Sequence, residues 1–442
     1  MPKQTPTFVY PVIRVLIILG FLCHAGFSRD AGSRPNIVVI MADDLGYECI
    51  GANGGTSYDT PNIDRLAAGG IRFDQMHAQP ICTPSRVKLL TGKSNVRNYR
   101  AFGLLPVGEM TFAEHLRDSG YATCIVGKWQ LGRGLSGPNK AGFNEYCLWQ
   151  VSRAPSRYPN PGLEINGVRK NFQQGQYGPD VVTDYALNFM EKNRNQPFLL
   201  FYSMILPHKP HEPTPDSADW DPASPGSSSY HGDPRYFDDM AAYMDKMVGK
   251  IETALDDLGL RENTLILFTG DNGTDQPVVS KFKGRPVAGG KGRTTDAGTR
   301  VPFIANWPGR ISAGSTSDDL LDFSDFFPSF CDLAGIEMPE EAGPFDGRSF
   351  VPQLFGKEGS PREWIYCWYA RLKTHDPVKA RQFVRGKRYK LYRNGEFYDL
   401  RDDVNEATPL TYSDLSGEAR QRWETFQEIL VHYDGIRPGS HW

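Results

Sequence analysis

The sequence predicts an α/β protein in which a large, mostly parallel sheet is sandwiched by helices, with a small antiparallel sheet at the C-terminal end. Four apolar runs carry the first part of that reading: NIVVIMA at 36–42, ATCIV at 122–126, PFLLFYSMIL at 197–206 and TLILFT at 264–269. Each is continuous rather than alternating, which suits strands buried on both faces of a parallel sheet. Helix-like segments separate them, among them TPNIDRLAAGG, with Thr60 as cap and Pro61 at the first helical position, and MTFAEHLRDSG, with Thr111 as cap. This βαβα alternation is that of an open α/β sheet. Past residue 300, VPFIANW reads as a further strand, LLDFSDFFPSFCDLAG as an amphipathic helix ended at Gly335, and 337–362 as a linker rich in Pro, Gly and Glu. WIYCWYA, ARQFVRG and KRYKLYRNGEFYDL then give strands around an Arg393-Asn394-Gly395-Glu396 turn. The expected organisation is a large α/β domain at 33–345 and a small α+β domain at 360–442.

Composition narrows the partners. A chain of 442 residues exceeds one ordinary domain of roughly 100–200 residues. With 39% hydrophobic residues and a net charge of -3 it is globular and carries no basic field for nucleic acid or an anionic membrane. Its partner is therefore expected to be a small molecule or a polymer. Lys3 and Arg14 combine with the apolar run VLIILGFLC, followed by the small residues of HAGFS. That pattern predicts a signal peptide at 1–28, too short to span a bilayer, and hence export to a periplasmic or extracellular location without stable membrane insertion. Six later cysteines are too few for a disulfide scaffold. The sole N-x-S/T pattern, Asn272-Gly-Thr274, falls in a segment assigned below to an interior site, and a secretory chain without usable acceptors leans towards bacterial export.

Polar clusters follow the four apolar runs: Asp43-Asp44, Gly127-Lys128-Trp129-Gln130, Pro207-His208-Lys209-Pro210-His211 and Gly270-Asp271-Asn272-Gly273. Ligands of open α/β sheets bind outside the carboxyl ends of the strands, so the four clusters should face one crevice. Asp43, Asp44, Asp271 and Asn272 offer only oxygen ligands, a set that selects Ca²⁺ or Mg²⁺ over Zn²⁺. Helix capping or a tight turn would explain either pair alone; their convergence favours a metal.

The stretch ICTPSRVKLLTG poses a separate problem. Pro84 fits the first turn of a helix, so Cys82 lies at the positive end of the helix dipole, with Arg86 one turn on. A bare cysteine there would be an activated, oxidisable thiolate, and its soft sulfur would suit a hard cation poorly. The pattern is coherent if Cys82 is not a thiol in the mature protein.

Cys82-Thr83-Pro84-Ser85-Arg86 with Thr91-Gly92 resembles the C-x-P-x-R...T-G signature of the sulfatase family, of the alkaline phosphatase superfamily, in which that cysteine is oxidised to formylglycine (3-oxoalanine). PNIVVIMADDLGY, TPNIDRLAAGGIRF, GKWQLG, FTGDNG, GGKGRTTDAGTRVPFIANWPG and FYDLRDDVNEATPL match family blocks in order, across nearly the whole mature chain. The resemblance implies an alkaline phosphatase-like fold and a formylglycine-generating maturation enzyme as partner. It makes Asp43, Asp44, Asp271 and Asn272 calcium ligands, with magnesium the lesser candidate and residue 82 a further ligand. The aldehyde hydrate would attack sulfur through one hydroxyl, and the second would lose its proton and eject sulfate as the aldehyde re-forms. Arg86 and Lys128 would hold the hydrate and sulfate oxygens, Lys291 would be the second sulfate-binding lysine, and His208 would serve the leaving oxygen as acid or hydrogen-bond donor.

One position departs from the family pattern. G-K-W-H-L-G appears here as Gly127-Lys128-Trp129-Gln130-Leu131-Gly132, and glutamine cannot act as the base assigned to that histidine. Sulfate release is then the vulnerable step, unless His211 or metal-bound water takes over. Substrates implied by the resemblance are sulfate monoesters, from small molecules to polysaccharides. The loop YCLWQVSRAPSRYPNPG, with Trp149, Arg153 and Tyr158, suits a carbohydrate. The rival readings are a phosphate or phosphonate monoester hydrolase of the same superfamily and a non-catalytic sugar-binding relative.

Overall fold

A computed structural model describes residues 34–227, 229, 231–370 and 380–437, so the expected signal peptide at 1–28 lies outside the described residues. All four apolar runs form strands: Asn36–Ala42, Ala122–Lys128, Phe198–Ser203 and Thr264–Gly270. They lie side by side and parallel, with Val38 opposite both Leu200 and Ile266. Their unbroken apolar character has a direct cause. Ile37, Val39 and Met41 enter the core on one face of the sheet, while Val38, Ile40 and Ala42 enter the core on the other. Helices Cys82–Thr91, Phe112–Asp118 and Phe326–Ala334 contribute to the first core, and Pro61–Ala68, Gly178–Lys192 and Phe237–Asp257 to the second. Each fully buried aliphatic or phenyl side chain stabilises the fold by about 1.5–3 kcal/mol.

The sheet has ten strands. Beyond Thr264–Gly270 it continues through Arg300–Asn306, Ile71–His77 and Ser315–Asp322; beyond Ala122–Lys128 it continues through Glu145–Trp149, Gly162–Ile165 and Val168–Asn171. Arg300–Asn306 runs antiparallel to both neighbours, which makes the sheet mixed. Ile365–Tyr369, Arg381–Arg385, Tyr389–Tyr392 and Phe397–Asp399 form a second, antiparallel sheet. Gly395, with φ 92°, turns the chain between the last two. Tyr366, Trp368, Val384 and Leu391 of this sheet join the same core as Ile37 and Val39 of the large one, and the chain from Arg34 onward forms one compact unit.

Helix ends follow their predicted chemistry in part. Thr111 accepts a hydrogen bond from the Glu114 amide at 3.1 Å, and Gly335, with φ 63°, closes the helix before it. Thr60 occupies its predicted position but does not cap; its hydroxyl accepts from the Gly51 amide at 3.0 Å instead. The predicted helix LLDFSDFFPSFCDLAG begins later than expected. Leu320 and Leu321 pair with Gln75 and Met76 in the sheet, Asp322 and Asp325 form a capping box, and the helix proper is Phe326–Ala334. Cys49, Cys82, Cys124, Cys147, Cys331 and Cys367 are all buried and unbridged. Among the described residues no helix is long and apolar enough to cross a membrane.

Candidate active site

Backbone hydrogen bonds draw three strand ends together: the Asp43 amide donates to Leu206 O at 2.9 Å, Asp271 to Ala42 O at 2.9 Å, and Met204 to Met41 O at 2.8 Å. The predicted clusters thereby meet at one point. Asp44 adopts φ 65°, a left-handed conformation that aspartate tolerates, and its amide donates to Asp271 Oδ1 at 3.1 Å. Gly127, with φ 97°, sits where an added Cβ would lie 1.9 Å from Ser203 O, so only glycine lets this strand deliver Lys128.

Charges in the crevice are paired. Lys128 Nζ donates to both oxygens of Asp43 at 2.9 and 2.7 Å, and Lys291 Nζ donates to Asp44 Oδ2. Arg86 reaches Asp271 Oδ2 at 3.0 Å, and Asn272 Nδ2 reaches Asp44 Oδ1 at 2.9 Å. Burial raises the carboxyl groups of Asp43 and Asp44 above the usual range, against the pull of Lys128 and Lys291. Burial is the largest single influence on Lys291 and works against its charge, but Asp44, Asp43 and the other acidic groups around it together outweigh burial and raise that ammonium's pKa. His208 stands beside them, with Nε2 3.1 Å from Lys291 Nζ and 3.6 Å from Asp44 Oδ2. Burial first, then Lys291, Lys128 and Arg157, push its pKa well below the ordinary histidine value, so the ring is neutral.

Cys82 opens the helix Cys82–Thr91 as predicted, but not as an activated thiolate. The side chain is 1% exposed, and burial raises its pKa despite Lys128 and Lys291. Desolvation outweighs helix dipole and cations because the whole first turn is buried. The thiol donates to Gln130 Oε1 at 2.7 Å, and Gln130 itself takes φ 55°, a conformation uncommon for glutamine. Cys82, Gln130, His208 and Lys291 line an open cavity of about 510 Å³ walled by Phe102 and Tyr369.

The loop expected to contact a sugar does something else. Trp149 and Tyr158 are buried, and Arg153 is tied to Glu164 at 3.3 Å. Tyr158 Oη donates to the carbonyls of Ile205 and His208, and Arg157, stacked on Trp149 at 3.9 Å, lies 2.9 Å from His208 Nδ1. These side chains brace the His208 turn. Sequence reasoning missed Arg157; its one signal was a basic residue next to Tyr158 in the loop that follows Trp149.

The donor set fits a hard divalent cation. Oxygen-bearing Asp43, Asp44, Asp271 and Asn272 are all 0% exposed, and Asn272 Oδ1 has no hydrogen-bond partner. Ligand atoms of Asp43, Asp44 and His208 lie within 4.8 Å of one another. Three carboxylates, three cations and a buried residue at a helix start, all at the carboxyl ends of an α/β sheet, define a hydrolase for esters of an anionic group.

Comparison with known proteins specifies the anion. The Sulfatase family model matches residues 35–336, and a model of the N-sulphoglucosamine sulphohydrolase C-terminal region matches 291–425. Arylsulfatase G of Mus musculus is 35% identical over 443 residues, covering 87% of this chain and 79% of its own. Arylsulfatase A of Bos taurus is 34% identical over 401 residues, covering 82% and 75%. The structure of Ps i-CgsB in complex with k-i-k-neocarrahexaose superposes with a TM-score of 0.76 at 26% identity, covering 93% and 95% of the two chains. The chain belongs to the sulfatase family, and its chemistry is the hydrolysis of sulfuric esters.

Proposed function

We propose that the protein is an exported sulfatase that hydrolyses sulfate monoesters of carbohydrates, using formylglycine made from Cys82 and a calcium ion held by Asp43, Asp44, Asp271 and Asn272. One observation carries the reading: the buried, un-ionised Cys82 lines the cavity with Gln130, His208 and Lys291, where a thiol has no evident use but an aldehyde would. An aldehyde at 82 would supply, as its hydrate, one hydroxyl to attack sulfur and a second through which sulfate could leave, and a cation held by the four oxygen ligands would acidify that hydrate. The N-terminal Lys3, Arg14 and apolar run support export, and the oligosaccharide bound by the i-CgsB relative supports a carbohydrate substrate.

The chain's own groups have these roles. Arg86, anchored on Asp271 and Ser203, fixes the carboxylate it touches and adds positive charge beneath residue 82. Lys128 and Lys291 balance Asp43 and Asp44; with a divalent cation held on those carboxylates, the two ammoniums would be free to bind sulfate oxygens. His208, kept neutral, accepts from Lys291 at Nε2 in the resting site. Once sulfate draws Lys291 away, the tautomer whose Nδ1 accepts from Arg157 carries its proton on Nε2 and donates a hydrogen bond to the departing oxygen. Gln130 accepts from the group at 82 but takes no proton, so sulfate release is the slow step. Matched aryl sulfate and aryl phosphonate esters test the reading, with the metal content of the purified protein measured alongside. A preference for sulfate with about one calcium per chain is expected; faster phosphonate hydrolysis would transfer the site to the rival anion.

A further inference from the structure

The cavity above Cys82 has a second polar corner that the chemistry at sulfur does not use. Lys209, in the turn after Phe198–Ser203, and Asp275, just past Asn272, both line it, with Lys209 Nζ donating to Asp275 Oδ1 at 3.1 Å. Asp275 is 3% exposed, yet its other oxygen, Oδ2, has no hydrogen-bond partner. His211 is also 3% exposed, its ring packs edge-on against Phe237 with centroids 5.5 Å apart, and its Nε2 is likewise without a partner.

A buried carboxylate oxygen left without a donor costs free energy, and this one belongs to a residue that lines the cavity. Lys209 anchors one side of the carboxylate, so the other side awaits a donor from whatever fills the cavity. That donor does not come from the sulfate group, because like charges repel. It must come from the alcohol half of the ester. A simple aryl alcohol carries no further donor, whereas a sugar carries hydroxyls on the carbons beside the ester. A hydroxyl also both donates and accepts, matching an orphan carboxylate oxygen and an orphan imidazole nitrogen in the same region. Ile81 and Phe102, apolar walls of the same cavity, suit the C–H face of a pyranose ring.

We propose that Asp275, held by Lys209, selects hexose sulfates over aryl sulfates by accepting a hydrogen bond from a ring hydroxyl neighbouring the ester; the proposal rests on the sulfatase reading above. The full, matured, calcium-loaded protein is assayed on hexose monosulfates esterified at each hydroxyl in turn and on nitrophenyl sulfate. In Asp275→Asn the ratio of kcat/KM for the best hexose sulfate to that for nitrophenyl sulfate falls about 10- to 100-fold, chiefly through KM. The deoxy analogue lacking the neighbouring hydroxyl loses a similar factor on the wild type and little more on the variant. Lys209→Met, which frees the carboxylate, lowers the same ratio and decides the matter should Asp275→Asn fail to fold. An unchanged ratio in the variants, or losses from variant and deoxy substrate that simply multiply, overturns the assignment. Hydrolysis of nitrophenyl sulfate with no hexose sulfate accepted overturns it while leaving the sulfatase reading intact; hydrolysis of neither removes that reading too.

Discussion

The thiol of Cys82 donates to Oε1 of Gln130 across 2.7 Å, joining the first residue of a buried helix to the loop that follows the Ala122–Lys128 strand. A histidine at 130, as the family pattern has it, would place a base at this point. Glutamine places an acceptor that cannot keep a proton.

Gln130→His is therefore expected to raise the steady-state rate on nitrophenyl sulfate by about 10²-fold or more, the usual scale of general-base assistance. Stopped-flow measurement of the wild type shows a burst of about one nitrophenol per site, and the variant shows none, because a displacement followed by slow release accumulates product of the first step only. Equal steady rates without a burst in either protein would remove Gln130 from the account.

Position 82 allows a chemical trap. Serine offers one hydroxyl where an aldehyde hydrate offers two, so Cys82→Ser is expected to take sulfate from substrate once and retain it. Intact-protein mass spectrometry after incubation with a sulfate ester reads a stoichiometric sulfate adduct and turnover down at least about 10³-fold. Turnover near wild type would mean that one hydroxyl suffices.

Lys128 and Lys291 stand on Asp43 and Asp44, groups that are fully buried. Chelation of divalent ions is thus expected to stop hydrolysis without unfolding the chain. In the chelated protein Lys128→Met leaves Asp43 unbalanced and destabilises by about 3–5 kcal/mol, and added calcium recovers much of that loss. Denaturant unfolding with and without calcium measures the difference; equal losses in both conditions would show that the cation does not reside on Asp43.

Glu212, in the segment after His211, gives a pH signature away from the reacting atoms. Burial pushes its carboxyl up to about 7, against the pull of Arg157. The folded protein therefore holds a proton there that the unfolded chain, with a carboxyl near the ordinary glutamate value of 4.5, releases earlier. This contribution to stability is fully present below the unfolded value and is lost as pH rises through about 7. Unfolding midpoints taken across that window should decline less steeply in Glu212→Gln. An identical slope would place the carboxyl in water.

How much of this is legible in the sequence follows from where each signal resides. The four central strands are readable because burial on both faces leaves unbroken apolar runs, and the polar residues after them are readable because strand ends in such sheets face a common crevice. Ile71–His77 escapes notice because Arg72 and Asp74 interrupt it, and Val168–Asn171 because all four residues are exposed at the sheet edge. The grip of Lys291 on Asp44 spans 247 residues, and no local pattern encodes it. The same holds for Arg157 beside His208, and for the un-ionised state of Cys82, which depends on burial by elements distant in the chain.

The most direct test of the central claim is the mass of the proteolytic peptide bearing Cys82, taken from protein expressed together with a formylglycine-generating enzyme and assayed in parallel on a sulfate ester. The account predicts an aldehyde at 82 in proportion to the hydrolytic rate across preparations. Hydrolysis by protein whose Cys82 is wholly an unmodified thiol would contradict it.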